Sequence, residues 1–128
     1  MVRQRVFGLR SGRPTDRSHV CGLLLGGRAI VDVWDVPGRE HGVAVRFYDP
    51  SLRAWRICWS GPVVGRQILF LGRRHADEIV LEGEEDGSLL RWIFSEMTEN
   101  AFRWRALSSG DGGRSWQLTQ EMTVTRRA

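Results

Sequence analysis

Hydrophobic and polar residues alternate most regularly in two runs, 43–48 and 55–59, which flank the turn sequence Asp49-Pro50-Ser51. Alternation with a period of two is typical of a β-strand with one buried face. If Phe47 lies opposite Trp55, the alternating apolar side chains of both runs fall on one face and the arginines on the other. These residues are therefore predicted to form an antiparallel hairpin with an inner face and an outer face.

A second hairpin is predicted around Asp86-Gly87, between the runs 78–83 and 89–96. An Asp-Gly pair favours a two-residue type I′ turn, because both central positions of that turn need a positive φ. The resulting register pairs apolar residues on one face and opposite charges on the other. The expected pairs are Leu81 with Trp92, Ile79 with Phe94, and Glu82 with Arg91.

A third hairpin is predicted between 101–107 and 115–125, with further strands on both sides of Gly26-Gly27 and at 67–71. Apolar residues do not recur with helical spacing over more than one turn. About nine short strands in meander order predict an all-β, antiparallel fold with little helix. Closure into a β-barrel is expected, because an open sheet would expose two edges.

The 128 residues are expected to form one domain. Residues 1–17 are interpreted as a basic N-terminal arm or edge strand, and residues 18–128 as the barrel. Residues 1–31 contain six arginines and one acid, whereas residues 76–100 contain eight acids and one arginine. The net charge of +4 is therefore divided between a basic start and an acidic middle.

Several short pieces of the chain together resemble a family of small bacterial lipocalin-like (calycin) domains. Their order and spacing over residues 20–126 carry the resemblance. The pieces are Gly27-Arg28-Ala29-Ile30-Val31-Asp32-Val33-Trp34, Val45-Arg46-Phe47-Tyr48-Asp49-Pro50 with Trp55-Arg56, Asp77-Glu78-Ile79-Val80-Leu81-Glu82-Gly83, Arg91-Trp92 with Phe94-Ser95-Glu96, Phe102-Arg103-Trp104-Arg105, and Asp111-Gly112-Gly113-Arg114-Ser115-Trp116. The resemblance implies a lipocalin-like β-barrel with an internal cavity and no agreed activity.

The chain departs from this family at its start. Ser18-His19-Val20-Cys21 stands where the family has an aromatic and histidine-bearing stretch, and the family's additional tryptophan-containing upstream strand is missing. The barrel is therefore expected to be shorter, or to be closed by a partner subunit. A homodimer is predicted, in which each basic arm could lie against the partner's acidic 76–100 region, and the alternative is a monomer whose arm folds back on its own barrel.

All six tryptophans fall on the predicted inner face of the strands. A barrel of this size can fill its interior with side chains or hold one small ligand, and both alternatives stay open. The predicted ligand-binding residues are Trp34, Phe47, Trp59, Trp92, Trp104, Gln120 and His19.

Three polar residues share the predicted inner face, namely Asp32, Glu96 and Gln120. A buried carboxylate without a partner is costly, so each is expected to be hydrogen-bonded, to lie near a barrel mouth, or to act in function. Asp32, between Ile30 and Trp34 along its face, is the best candidate for a general base or a ligand-orienting acceptor. Glu96 is the second catalytic candidate.

Two functions remain open on these grounds. The first is binding of a small apolar or aromatic molecule in an aromatic-lined cavity, where Asp32 or Glu96 orients the ligand. The alternative is a cofactor-independent cyclase or isomerase of natural-product biosynthesis, which would fold a flexible substrate in the same cavity and supply one acid or base.

Other classes of function are disfavoured. The three histidines and two cysteines have no metal-ligand spacing, and no phosphate or dinucleotide motif occurs, so no metal or cofactor is expected. No apolar run has the length of a transmembrane helix, so no membrane partner is expected and the cytoplasm is the expected location. Nucleic acid is also not expected, because the tryptophans that could stack on bases are predicted to point inward, away from the arginines predicted to point outward. These arginines are Arg46, Arg56, Arg91, Arg103 and Arg105.

Overall fold

The computed structural model describes the backbone of residues 4–11, 13–35 and 41–126, and the side chains of residues 22–35 and 41–125. The described backbone forms ten strands and one 3-10 turn. In chain order these are β1 (Gln4–Ser11), β2 (Arg13–Leu24), the 3-10 turn Leu25–Gly27, β3 (Ala29–Asp35), β4 (His41–Asp49), β5 (Ala54–Gly61), β6 (Arg66–His75), β7 (Glu78–Glu85), β8 (Ser88–Ser95), β9 (Ala101–Ser109) and β10 (Gln117–Arg126).

Every strand pairs antiparallel with the next one along the chain, which confirms the predicted all-β meander with almost no helix. Strand β1 also pairs with β10, with Leu9 opposite Val124, so the strand order closes on itself. The predicted boundary between residues 17 and 18 falls inside β2. Within the described part of the chain, no helix has the length and apolar character that a membrane crossing requires.

The hydrophobic core lies inside the closed order of strands. Its buried members are Trp34, Ala44, Ile57, Trp59, Ile68, Phe70, Leu81, Leu90, Trp92, Trp104, Ala106, Met122 and Val124. Burying each large apolar side chain contributes about 1.5–3 kcal/mol, so this interior is the main source of the fold's stability.

Two glycines make room for aromatic rings in this core. A Cβ atom at Gly42 would lie 2.5 Å from Cζ2 of Trp59, and one at Gly83 would lie 2.7 Å from Cδ1 of Phe70. Both distances are shorter than van der Waals contact allows. The absence of a side chain at these positions therefore lets large residues of the neighbouring strands lie flat against the backbone.

The β7–β8 hairpin has the predicted register. Leu81 lies opposite Trp92, Ile79 opposite Phe94 and Glu82 opposite Arg91. Asp86 and Gly87 both have positive φ, as a type I′ turn requires.

The predicted register of the β4–β5 hairpin is wrong by one residue. Trp55 lies opposite Tyr48 rather than Phe47, because the closing pair is Asp49 with Ala54. The Asp49 side chain accepts a hydrogen bond from the Ser51 backbone at 3.0 Å and fixes this longer turn. A shift of one residue exchanges the two faces of a strand.

The exchange of faces in β4 turns Ala44 and Arg46 inward and the valines outward. Phe47, predicted to line the interior, is half exposed on the outer surface. Arg46, predicted to point outward, lines the interior.

The prediction that all six tryptophans point inward is correct for four and wrong for Trp116. Strand β10 begins only at Gln117, so Trp116 belongs to the preceding turn and lies outside the barrel. Its ring stacks 4.1 Å from the Arg91 guanidinium, which points outward from β8. Trp55 lies between these cases, because it is partly buried at the margin of the core.

Candidate functional site

The candidate site is a cavity in the barrel interior, formed where strands β3, β4 and β5 face strands β7 to β10. It has a volume of about 20 Å³, which is room for one water molecule. Its lining is mainly aromatic and aliphatic, with two charged side chains. The lining residues are Asp32, Trp34, Ala44, Arg46, Ile57, Trp59, Leu81, Trp92, Phe94, Trp104 and Met122.

Asp32 and Arg46 form an ion pair within this lining. Asp32 projects inward from β3 with 1% of its side chain exposed, and Arg46 projects inward from β4 with 20% exposed. In the strand register Ile30 lies opposite Arg46 and Asp32 opposite Ala44, so the two charged residues are diagonal neighbours. The small side chain of Ala44 leaves space for the guanidinium to reach the carboxylate.

Four buried tryptophans and three phenylalanines form one network of ring contacts in the interior that contains the ion pair. Trp92 is its centre, with ring centroids 5.5 Å from Trp59, 5.4 Å from Trp104 and 4.4 Å from Phe70. Trp34 extends the network, because its ring lies 6.4 Å from that of Trp104. Most of these pairs are tilted or edge-to-face, which are the favourable geometries for aromatic rings.

The indole nitrogen of Trp59 is a second polar group in this interior. Trp59 is 3% exposed, and its Nε1 atom has no hydrogen-bond acceptor among the described residues. A buried donor without an acceptor costs about 1–3 kcal/mol. The interior therefore offers one neutral donor in addition to the ion pair.

Five of the sequence-predicted site residues come together around the cavity. They are Asp32, Trp34, Trp59, Trp92 and Trp104. Phe47 does not join them, since it lies on the outer face of β4, as described above. Gln120 lies half-buried opposite Ala106, on the inner side of β10 but outside the cavity lining.

Glu96, the second catalytic candidate, lies outside the barrel, and its predicted inward position is wrong. Strand β8 ends at Ser95, and Glu96 has a φ of 52° that starts the turn towards β9. Its side chain is exposed. The hydrogen bond that Arg103 donates to Glu121 raises the pKa of Arg103, and the negative charge of Glu96 adds to this shift. His19 lies opposite Trp34 in the β2–β3 register, but its side chain is outside the described residues.

Sequence reasoning missed Arg46 as a site residue. The signal that pointed to it was the run of small residues on the same face of β4, Gly42 and Ala44, which face the bulky Trp59 across the hairpin. A face with glycine and alanine next to tryptophan is typical of an interior. The need of Asp32 for a partner was a second signal.

The charged and aromatic side chains of the site can orient a small molecule. No cluster of three or more His, Cys, Asp or Glu side chains that could hold a metal ion occurs among the described residues. The ion pair supplies fixed donors and acceptors, and the indoles supply flat apolar contact. No protein-family model and no curated protein sequence matches the chain.

Proposed function

We propose that the protein binds a small planar molecule, apolar or aromatic, within a lipocalin-like barrel interior. In this proposal the tryptophans contact its faces and the Asp32–Arg46 pair orients a polar substituent. The observation that carries the proposal is an ion pair buried in an aromatic cavity. A buried ion pair is rarely the most stable way to fill a core, since apolar residues of similar volume often stabilise equally or more.

The size of the cavity determines how a ligand would enter. Room for one water is far less than the roughly 300–1,000 Å³ of typical ligand pockets, so binding requires side chains to move. Met122 is the lining residue most suited to this, because its unbranched side chain has three rotatable bonds. Phe94 is only partly buried and is the second residue expected to move.

The alternative function, a cofactor-independent cyclase or isomerase, would depend on the same carboxylate. Asp32 is the one carboxylate in the cavity lining among the described residues, and Arg46 already occupies it. Glu96 is too far outside to supply a second acid or base. The geometry therefore supports binding and orientation better than acid–base catalysis.

A titration with the neutral fluorescent probe 1-aminoanthracene tests the binding proposal. Ala44→Leu extends a side chain into the cavity, whereas Val45→Leu changes the next residue of the same strand, which points outward. Wild-type protein should bind the probe saturably with quenching of tryptophan emission. Ala44→Leu should weaken binding at least about tenfold, and Val45→Leu should leave it within about twofold.

Circular dichroism and thermal melting of all three proteins check that each variant is folded. Absence of saturable binding to the wild type would contradict the proposal and would indicate that the interior is only a packed core. Equal affinity of folded Ala44→Leu and wild type would place the probe elsewhere and would also contradict it.

A further inference from the structure

An open groove of about 620 Å³ lies at the end of strands β3, β4 and β5, beside the 3-10 turn Leu25–Gly27. We call it the Tyr48 groove. It is separate from the interior cavity, since the two share no lining residue. Its volume falls within the roughly 300–1,000 Å³ of typical ligand pockets, whereas the interior cavity has room for one water.

Three aromatic side chains supply the flat apolar surfaces of this groove. Tyr48 lies opposite Trp55 in the strand register, and their rings meet edge to face with centroids 5.7 Å apart. Phe47, the preceding residue of β4, adds a third ring to the lining. Tyr48 and Phe47 are both about half exposed, so their rings are accessible to a ligand. Aromatic surfaces in a concave site favour contact with a planar ring.

Arg28 is the one charged side chain in the described lining of the Tyr48 groove, and it is exposed. Ala29 lies opposite Phe47 in the strand register, so Arg28, one residue earlier, is level with Tyr48. The guanidinium therefore borders the aromatic surfaces of the groove.

The positive charge of Arg28 is not neutralised by an ion pair within the described part of the chain. Asp49, the acid that follows Tyr48, is already paired with Arg56 at 2.7 Å. Arg53, exposed in the turn after β4, adds a further positive charge at this end of the barrel. The charge of the groove therefore complements an anion rather than a cation.

We propose that the Tyr48 groove binds a planar aromatic anion, whose ring contacts Tyr48 and Trp55 and whose phosphate or carboxylate pairs with Arg28. A guanidinium can donate two parallel hydrogen bonds to either group, and the aromatic contacts add affinity for the ring. This site does not depend on the ligand proposed for the interior, because the residues are different.

Fluorescence titrations of the full chain with two probes test the role of Arg28. The first probe, 8-anilinonaphthalene-1-sulfonate, is an aromatic anion, and N-phenyl-1-naphthylamine has the same rings without the sulfonate. Wild-type protein should bind the sulfonate saturably. Arg28→Gln should weaken sulfonate binding at least about tenfold and should change naphthylamine binding by less than about twofold. Arg114→Gln is the matched control, because it removes the same charge from an exposed arginine in the β9–β10 turn.

Two further variants locate the bound sulfonate. Tyr48→Ser should weaken its binding at least about tenfold, and the fold should be retained because Tyr48 is half exposed. Ala44→Leu fills the interior cavity and should leave sulfonate binding within about twofold of the wild type. Circular dichroism and thermal melting check that each variant is folded.

Competition against the bound sulfonate identifies the anionic group of the ligand. Displacement by AMP indicates a phosphate, and displacement by indole-3-acetate indicates a carboxylate. The uncharged counterparts, adenosine and 3-methylindole, should displace the sulfonate at least about tenfold less well.

Three results would overturn the proposal. One is equal affinity of Arg28→Gln and Arg114→Gln for the sulfonate, which would remove the ion pair. The second is loss of sulfonate binding in folded Ala44→Leu, which would place the probe in the interior. The third is displacement by neither anion, or equal displacement by the uncharged counterparts, which would leave a surface that holds only a hydrophobic dye.

Discussion

Removing one partner of the Asp32–Arg46 pair should destabilise the protein far more than breaking an ion pair on its surface. In Arg46→Met, the Asp32 carboxylate stays 99% buried and loses its ion pair with Arg46. Breaking a buried pair in this way typically costs about 3–5 kcal/mol. Arg46 is 20% exposed, so solvent already screens the pair in part, and we expect about 3 kcal/mol.

The size of the expected effect makes it measurable by simple methods. For a chain of this length, 1 kcal/mol lowers the melting temperature by about 4 °C, so Arg46→Met should melt about 12 °C lower. Glu121→Gln is the control, because it breaks the Arg103–Glu121 pair on the outer surface, where ion pairs contribute little to stability. Urea unfolding followed by tryptophan fluorescence measures both free energies.

The double variant Asp32→Leu, Arg46→Met separates stability from function. It removes both charges, so it should regain most of the lost stability and approach or exceed the wild type. If the ion pair orients a ligand, the same variant should lose its preference for probes that carry a polar substituent. The reasoning fails if Arg46→Met costs no more than Glu121→Gln, or if the stable double variant discriminates between probes as the wild type does.

Two further predictions concern packing and pH. Gly42→Ala should lower the free energy of unfolding by about 1–3 kcal/mol, because the new Cβ overlaps the Trp59 ring. Gly110→Ala is the control and should change it by less than about 0.5 kcal/mol, because no atom lies within 4 Å of a Cβ at Gly110. Equal effects of the two variants in urea unfolding would contradict the packing described. The hydrogen bond from the Ser51 hydroxyl, followed by the one from Arg56, lowers the pKa of Asp49 to about 2. The contribution of Asp49 to the free energy of unfolding is therefore fully present above its unfolded-state pKa of about 3.9 and is lost as the pH falls through 2. The melting temperature should therefore fall between about pH 4 and pH 2 by less in Asp49→Asn than in wild type, and identical profiles would refute this role.

The parts of the fold that sequence predicted correctly are those where a turn determines the register. Asp86-Gly87 permits one tight turn type, and that turn alone places Leu81 opposite Trp92. The antiparallel order of the strands was predicted in the same way, from the spacing of turns and strands along the chain. These features are local, so they need no knowledge of distant contacts.

The errors occur where the turn is longer and several registers are possible. Between β4 and β5, a closing pair one residue further along the chain reverses the face of every β4 side chain. At the end of β8, Ser95 is the last strand residue, so continuing the alternation to Glu96 placed an exposed turn residue inside the barrel. Alternation identifies the two faces of a strand, but it does not determine where the strand stops.

The register of β4 also explains why composition alone misidentified its inner face. The valines and Phe47 are the more hydrophobic face of the strand, and burial of that face is the ordinary expectation. The inner face of β4 instead carries the smaller residues and Arg46. The Trp59 ring fills the space over Gly42, and Arg46 forms an ion pair with Asp32. The internal ion pair and the outward-facing valines of β4 are thus two consequences of one register. A strand that turns its arginine inward necessarily turns its valines outward, so the same register places a charge inside the barrel and apolar side chains on its outer surface.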